Sequence, residues 1–126
     1  MPSSRTKFLY LIGKLYAFAE QNKIELICFT FYRSPEQQLQ EFIKKKSKIK
    51  ENGPHQKWTA EDLAIVEKGI ALFDDSEITL SKYKVLGDFW KSLDPLCVWG
   101  GDFEFAADVY HFELASIMKK EKKEIT

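Results

Sequence analysis

The sequence predicts an α+β fold, a small and mostly antiparallel sheet with helices packed against it. Three observations predict it. Residues 4–21 carry apolar side chains at helical spacing, with Phe8, Leu11, Ile12, Leu15, Tyr16 and Ala19 on one stripe. Short runs rich in β-branched and aromatic residues recur at 24–32, 62–66, 96–99 and 110–114. Between them lies a second amphipathic run through Tyr83, Val85, Leu86, Phe89, Trp90 and Leu93. A helix, a strand and helix, then several short strands around one more helix is the order of an α+β domain.

Each element has its own signals. Ser4 can cap the first helix and Asn22 can end it. Strand 24–32 ends at Arg33. Ser34-Pro35-Glu36 then opens a helix, with Ser as cap, Pro at the first helical position and an acid in the first turn; it runs through Leu39, Phe42 and Ile43 to about Lys46. Lys44 to Lys50 reads as a solvated helix end, and Glu51-Asn52-Gly53-Pro54 as a loop that leaves His55 on a loop as well. Asp62 starts a short buried strand that turns at Glu67-Lys68-Gly69. Asp74-Asp75-Ser76 is a loop, Thr79 or Ser81 is the expected cap of the next helix, and Asp94-Pro95 stops it. Gly100-Gly101 makes a tight turn after Leu96–Trp99, residues 103–109 a loop, and Tyr110–Leu114 alternates like a strand. Residues 117–126 are a charged, frayed tail. No repeat or linker divides the chain, so residues 1–126 read as a single domain.

Composition narrows the function classes. The chain has 126 residues, enough to bury one core, and its ten Phe predict an aromatic-rich one. Lys and Arg total 19, as do Asp and Glu, so the formal net charge of zero argues against nucleic acid as a partner. The Lys44–Lys50 run has no interleaved aromatics to suggest otherwise. No apolar stretch approaches the ~20 residues that span a bilayer, so no membrane insertion is expected. Arg5 and Lys7 precede Phe8–Ile12, but Lys14 interrupts the run and no small-residue cleavage site follows. That reads as synthesis in the cytoplasm without a signal peptide. Cys28 and Cys97 each lie in an apolar run and are expected as two buried thiols rather than a disulfide.

The chemistry concentrates around the two histidines. His55 is followed seven positions later by Asp62, and His111 is preceded three positions earlier by Asp108. Asp62 interrupts an apolar strand, and a buried carboxylate must be paired or bound to a metal. A hydrolytic zinc site needs three His or carboxylate ligands and an open position for water. Zinc lowers the pKa of that water to about 7, and a nearby carboxylate can take its proton and pass it to the leaving amine. These residues supply such a set. Spacing alone leaves the bland alternative open, a structural histidine paired in the core.

Three segments, in this order, resemble the zinc peptidases of bacterial cell walls, a family of D-alanyl-D-alanine carboxypeptidases, vancomycin-resistance dipeptidases and phage L-alanyl-D-glutamate endopeptidases. Tyr32-Arg33-Ser34 with Gln37 and Gln38 is similar to the family's Tyr-Arg-Ser-x-x-x-Gln segment. His55, Ala60 and Asp62 match its Ser-x-His-x-x-Gly-x-Ala-x-Asp motif, with Gly53 in place of Ser and Trp58 in place of Gly. Asp108, His111, Phe112 and Glu113 match its acid-x-x-His-Phe-Glu motif, and Trp99-Gly100-Gly101-Asp102 resembles the endopeptidase branch more than the dipeptidase branch. The resemblance implies that His55, Asp62 and His111 hold Zn2+, that Asp108 is general base and acid, and that Arg33 holds the substrate carbonyl or oxyanion. Glu113 would orient a ligand imidazole, and Trp58, Trp99 and Asp102 would line the substrate cleft. It implies peptidoglycan peptide stems as substrate, first the L-alanyl-D-glutamate bond, with a D-alanyl-D-alanine dipeptidase or carboxypeptidase, or a non-catalytic wall-binding or assembly module, as the alternatives. Lacking a signal peptide, such a monomer would suit a phage lysis enzyme released through a holin-type pore, or a phage-encoded virion part. Asp74, Asp75 and Asp102 are loose candidates for a second ion such as calcium.

Overall fold

A computed structural model describes residues 3–30, 59–105 and 107–115. The expected helix after Ser34, the Lys44–Lys50 run, Arg33, Gly53, His55, Trp58 and the tail at 117–126 lie outside the described residues.

Helix α1 spans Ser4–Gln21. Its cap is Ser3 rather than the expected Ser4: the Ser3 backbone is extended, and its hydroxyl accepts from the Thr6 N–H at 3.3 Å. The helix ends at Asn22 in a Schellman motif. Lys23 adopts a left-handed φ of 58°, its N–H reaches Glu20 O at 3.1 Å, and the Ile24 N–H reaches Ala19 O at 2.8 Å. Strand β1 (Glu25–Thr30) follows directly.

Strand β2 (Ala60–Glu67) starts two residues before Asp62 because Ala60 and Glu61 already pair with the last strand of the chain. Lys68 (φ 52°) and Gly69 (φ 77°) are both left-handed, as a two-residue type I′ hairpin requires. They return the chain as the short strand β3 (Ile70–Ala71).

Helix α2 (Glu77–Leu93) is capped by Ser76, ahead of the expected Thr79 or Ser81; the Ser76 hydroxyl accepts from the Thr79 N–H at 3.2 Å. Thr79 instead sits buried in the first turn and donates its hydroxyl to Asp74 at 2.9 Å. Capping and turn contacts thus occupy Asp74, one of the loose calcium candidates. Asp94 ends the helix, its Oδ1 accepting from the Leu96 N–H at 2.9 Å. Strand β4 (Cys97–Trp99), a 3₁₀ turn at Gly100–Asp102 and strand β5 (His111–Leu114) complete the described chain.

The sheet runs β1-β2-β5-β4, antiparallel throughout, with β3 on β2. The two helices cover one face. From α2, Tyr83, Leu86, Gly87 and Trp90 are buried at i, i+3, i+4 and i+7 spacing. They meet Phe8, Leu11, Ile12 and Leu15 of α1 over Leu63, Ile65, Phe112 and Leu114 of the sheet. Each large apolar side chain buried there contributes roughly 1.5–3 kcal/mol. The Phe8 and Trp90 rings meet edge-on with centroids 5.9 Å apart, and Phe18 stacks on Phe89 at 4.0 Å. The Trp90 indole N–H bridges Val98 O at 3.1 Å and Glu113 O at 3.2 Å, tying α2 to β4 and β5. Tyr83 accepts from the Ile65 N–H and donates to Leu72 O, joining β2 to the chain beyond β3.

The cysteines separate. Cys97 is buried as expected, and burial pushes its thiol pKa up to about 12. Cys28 is exposed, against expectation, because β1 is the edge of the described sheet and carries exposed Ile27 and Phe29 beside it. No helix among the described residues is long and apolar enough to cross a membrane.

Candidate metal centre

The alternation that turns Leu63, Ile65, Phe112 and Leu114 toward the helices turns Asp62, His111 and Glu113 to the opposite face. Register then joins them. β2 and β5 place Asp62 directly opposite His111 and Ala60 opposite Glu113, so Asp62 and His111 are cross-strand neighbours on one face. This face is polar yet closed: Asp62, His111 and Glu113 are exposed by 6%, 8% and 3%.

The two ring nitrogens of His111 have different partners. Nε2 lies 2.8 Å from Glu113 Oε1, and Nδ1 lies 3.4 Å from Asp62 Oδ1. Glu113 therefore fixes the ring and Nδ1 faces Asp62. Burial alone would lower the imidazole pKa, but hydrogen bonding and charge from Asp62 and Glu113 outweigh it and raise it to about 9. Both carboxylates therefore favour the protonated ring.

Asp108 arrives from the loop before β5. Its N–H donates to Gly100 O at 2.9 Å, its Oδ1 accepts from the Tyr110 N–H at 3.1 Å, and its carbonyl accepts from the His111 N–H at 3.2 Å. Gly100 permits this approach, since a Cβ there would stand 2.2 Å from Asp108 O and 2.8 Å from the His111 Cβ. One donor atom each from Asp62, Asp108 and His111 then lie within 4.8 Å of one another. Two carboxylate oxygens and an imidazole nitrogen at this spacing suit zinc, which takes such N and O donors. The Phe103 ring lies beside the imidazole, with centroids 5.7 Å apart.

Trp99 and Asp102 contribute no donor atom to this group. Trp99 is 5% exposed and belongs to the helix-side core. Asp102 turns to Lys91 of α2, with Oδ2 and Nζ 2.8 Å apart. Both border an open cavity of about 580 Å³ with Phe73, Val109 and Tyr110, on a lining that does not include Asp62, Asp108 or His111. Sequence reasoning missed Gly87. It lies mid-helix in α2, where glycine disfavours helix, and that anomaly was the available signal. A Cβ on Gly87 would come within 2.2 Å of the Trp99 ring.

No protein-family model matches the chain, and no curated protein matches it by sequence. Solved structures do. The crystal structure of the Serratia marcescens L-Ala D-Glu endopeptidase ChiX superposes with a TM-score of 0.71 at 15% identity, over 91% of this chain and 82% of that one. The vancomycin-resistance D,D-pentapeptidase VanY, from a VanB-type resistance cassette and in complex with Zn(II), gives 0.56 at 14% identity, over 95% and 77%. The α+β fold of this chain is therefore the one that these two peptidases share, and both are peptidases of the kind its sequence motifs resemble.

Proposed function

We propose that the chain is a zinc-dependent peptidase acting on the peptide stems of peptidoglycan, with the L-alanyl-D-glutamate bond as first substrate. One observation carries the reading: Asp62, Asp108 and His111 converge on the closed polar face of a sheet whose fold is that of an L-Ala D-Glu endopeptidase. Asp62 and His111 would hold the ion, with His55 as third ligand. Zinc held there would supply a Lewis acid and lower the pKa of a water it binds to about 7. Asp108 takes the proton from the attacking water and returns it to the leaving amine. Its backbone hydrogen bonds to Gly100 and His111 hold it beside the donors while it does so. Glu113 accepts from His111 Nε2 and keeps Nδ1 as the ligating nitrogen. Arg33 would hold the substrate carbonyl, and Trp58 would stand in the cleft. The substrate would be met by a monomer that reaches the wall through a holin-type pore.

The test is metal analysis of protein purified without chelator, paired with digestion of sacculi. About one zinc per chain, lost in His111→Ala and in His55→Ala, and stems newly cut after L-alanine are the expected results. Intact protein with no affinity for zinc would end the catalytic reading. A second reading, a D-alanyl-D-alanine carboxypeptidase or dipeptidase, draws support from the likeness to the D,D-pentapeptidase. Free D-alanine among the products would select it. Zinc-loaded protein inert on both bonds would select a wall-binding or assembly module without catalysis.

A further inference from the structure

We propose that Trp99 is a positioning residue for Asp108, its indole N–H fixing where that carboxylate stands relative to His111. The catalytic arm of this proposal rests on Asp108 being the general base. The turn after β4 and the segment entering β5 are fastened on both sides of Asp108. On one side the Asp108 N–H donates to Gly100 O at 2.9 Å; on the other the Trp99 Nε1–H donates to Val109 O at 2.9 Å. The second fastening is made by a side chain, so its strength depends on how firmly that side chain is held.

Trp99 is held from two sides. A Cβ on Gly87 of α2 would stand 2.2 Å from the ring, and one on Gly101 of the turn 2.4 Å from it. Both glycines let backbone lie against the indole where another residue would displace it. Lys91 closes the arrangement. Its Nζ lies 5.6 Å from the Trp99 ring centroid and 2.8 Å from Asp102 Oδ2, which joins α2 to the turn across the ring. The indole thus has no room to rotate, and its donor is aimed at the residue following Asp108. A buried indole N–H needs an acceptor, and which acceptor it takes decides what the ring ties down. The chain directs this N–H to the loop that brings Asp108 within 4.8 Å of Asp62 and His111.

Two replacements at position 99 separate donor from ring: Trp99→Phe, and benzothienylalanine introduced at that position alone, which keeps the bicyclic shape with sulfur in place of N–H. Should Trp99→Phe fail to fold, the isostere carries the test. Amide hydrogen exchange at Asp108 is read by NMR with and without zinc, alongside kcat and KM on a stem peptide. With zinc stoichiometry and KM unchanged, Asp108 exchange should quicken and kcat fall, each by about tenfold. An isostere that retains wild-type exchange would overturn the proposal, as would quickened exchange with unchanged kcat in an active enzyme. If the wild type cuts no peptide, the functional reading fails by itself, and the exchange arm still decides whether Trp99 sets the loop.

Discussion

Strands β2 and β5 bury both of their faces, and the two faces are held by different physics. On the helix side, Leu63, Ile65, Phe112 and Leu114 lose water to an apolar core. Glu61, a buried carboxylate on that side, is met by the Tyr16 phenol, which burial and the Glu61 charge keep protonated so that it donates. On the other side, Asp62, His111 and Glu113 are as closed to solvent but hold ionisable atoms. Burying charge is costly unless it is paired, and a well-packed apolar set often stabilises as much or more. The helix face accounts for the fold. The polar face adds little apolar burial to it.

That contrast can be broken face by face. The largest effect is expected for Asp108→Asn, which should lower turnover on stem peptides by about 10²–10⁴-fold while zinc content and the urea midpoint stay near wild type. Equal loss of zinc would make Asp108 a ligand rather than a base. On the helix face, Phe112→Ala should cost about 3–5 kcal/mol in urea unfolding. A loss below about 1 kcal/mol would mean that the core refills the space. Glu113→Gln keeps the shape of the polar face and removes its charge. It should weaken zinc binding by about 10–100-fold in a chelator competition.

A smaller effect separates the faces by pH. His111 is raised from 6.5 to about 9, so its ion pairing stabilises metal-free protein fully below pH 6.5 and is lost as pH rises through 9. The urea midpoint in chelator should fall across that window. Zinc must displace the same proton, so its affinity should rise over the same range. A zinc affinity independent of pH would remove His111 Nδ1 from the ligand set. The smallest effect lies at the exposed edge of the helix side. Lys82 and Glu67 pair at 2.8 Å on the surface, and Lys82→Met should change stability by about 1 kcal/mol or less.

Local signals in the sequence carry much of this. The apolar stripe of α1 is visible at helical spacing, and the Asp62 interruption of an apolar run marks a buried carboxylate. Alternation through Tyr110–Leu114 separates His111 and Glu113 from Phe112 and Leu114. The caps were misplaced because several neighbouring hydroxyls are chemically equivalent, and only backbone conformation chooses Ser3 over Ser4 and Ser76 over Thr79. Cys28 was misjudged because an apolar strand reads alike at an edge and at the centre of a sheet.

The sequence by itself determined which side chains could form a metal site and which strand faces would carry them, since alternation is a property of adjacent residues. Only the tertiary structure decided that Asp62 stands opposite His111, because cross-strand register joins residues far apart in the chain. It also decided that Trp99 packs into the core, with Gly87 and Gly101 making room for its ring. Close approach between distant elements leaves no mark in sequence except the small residue that permits it.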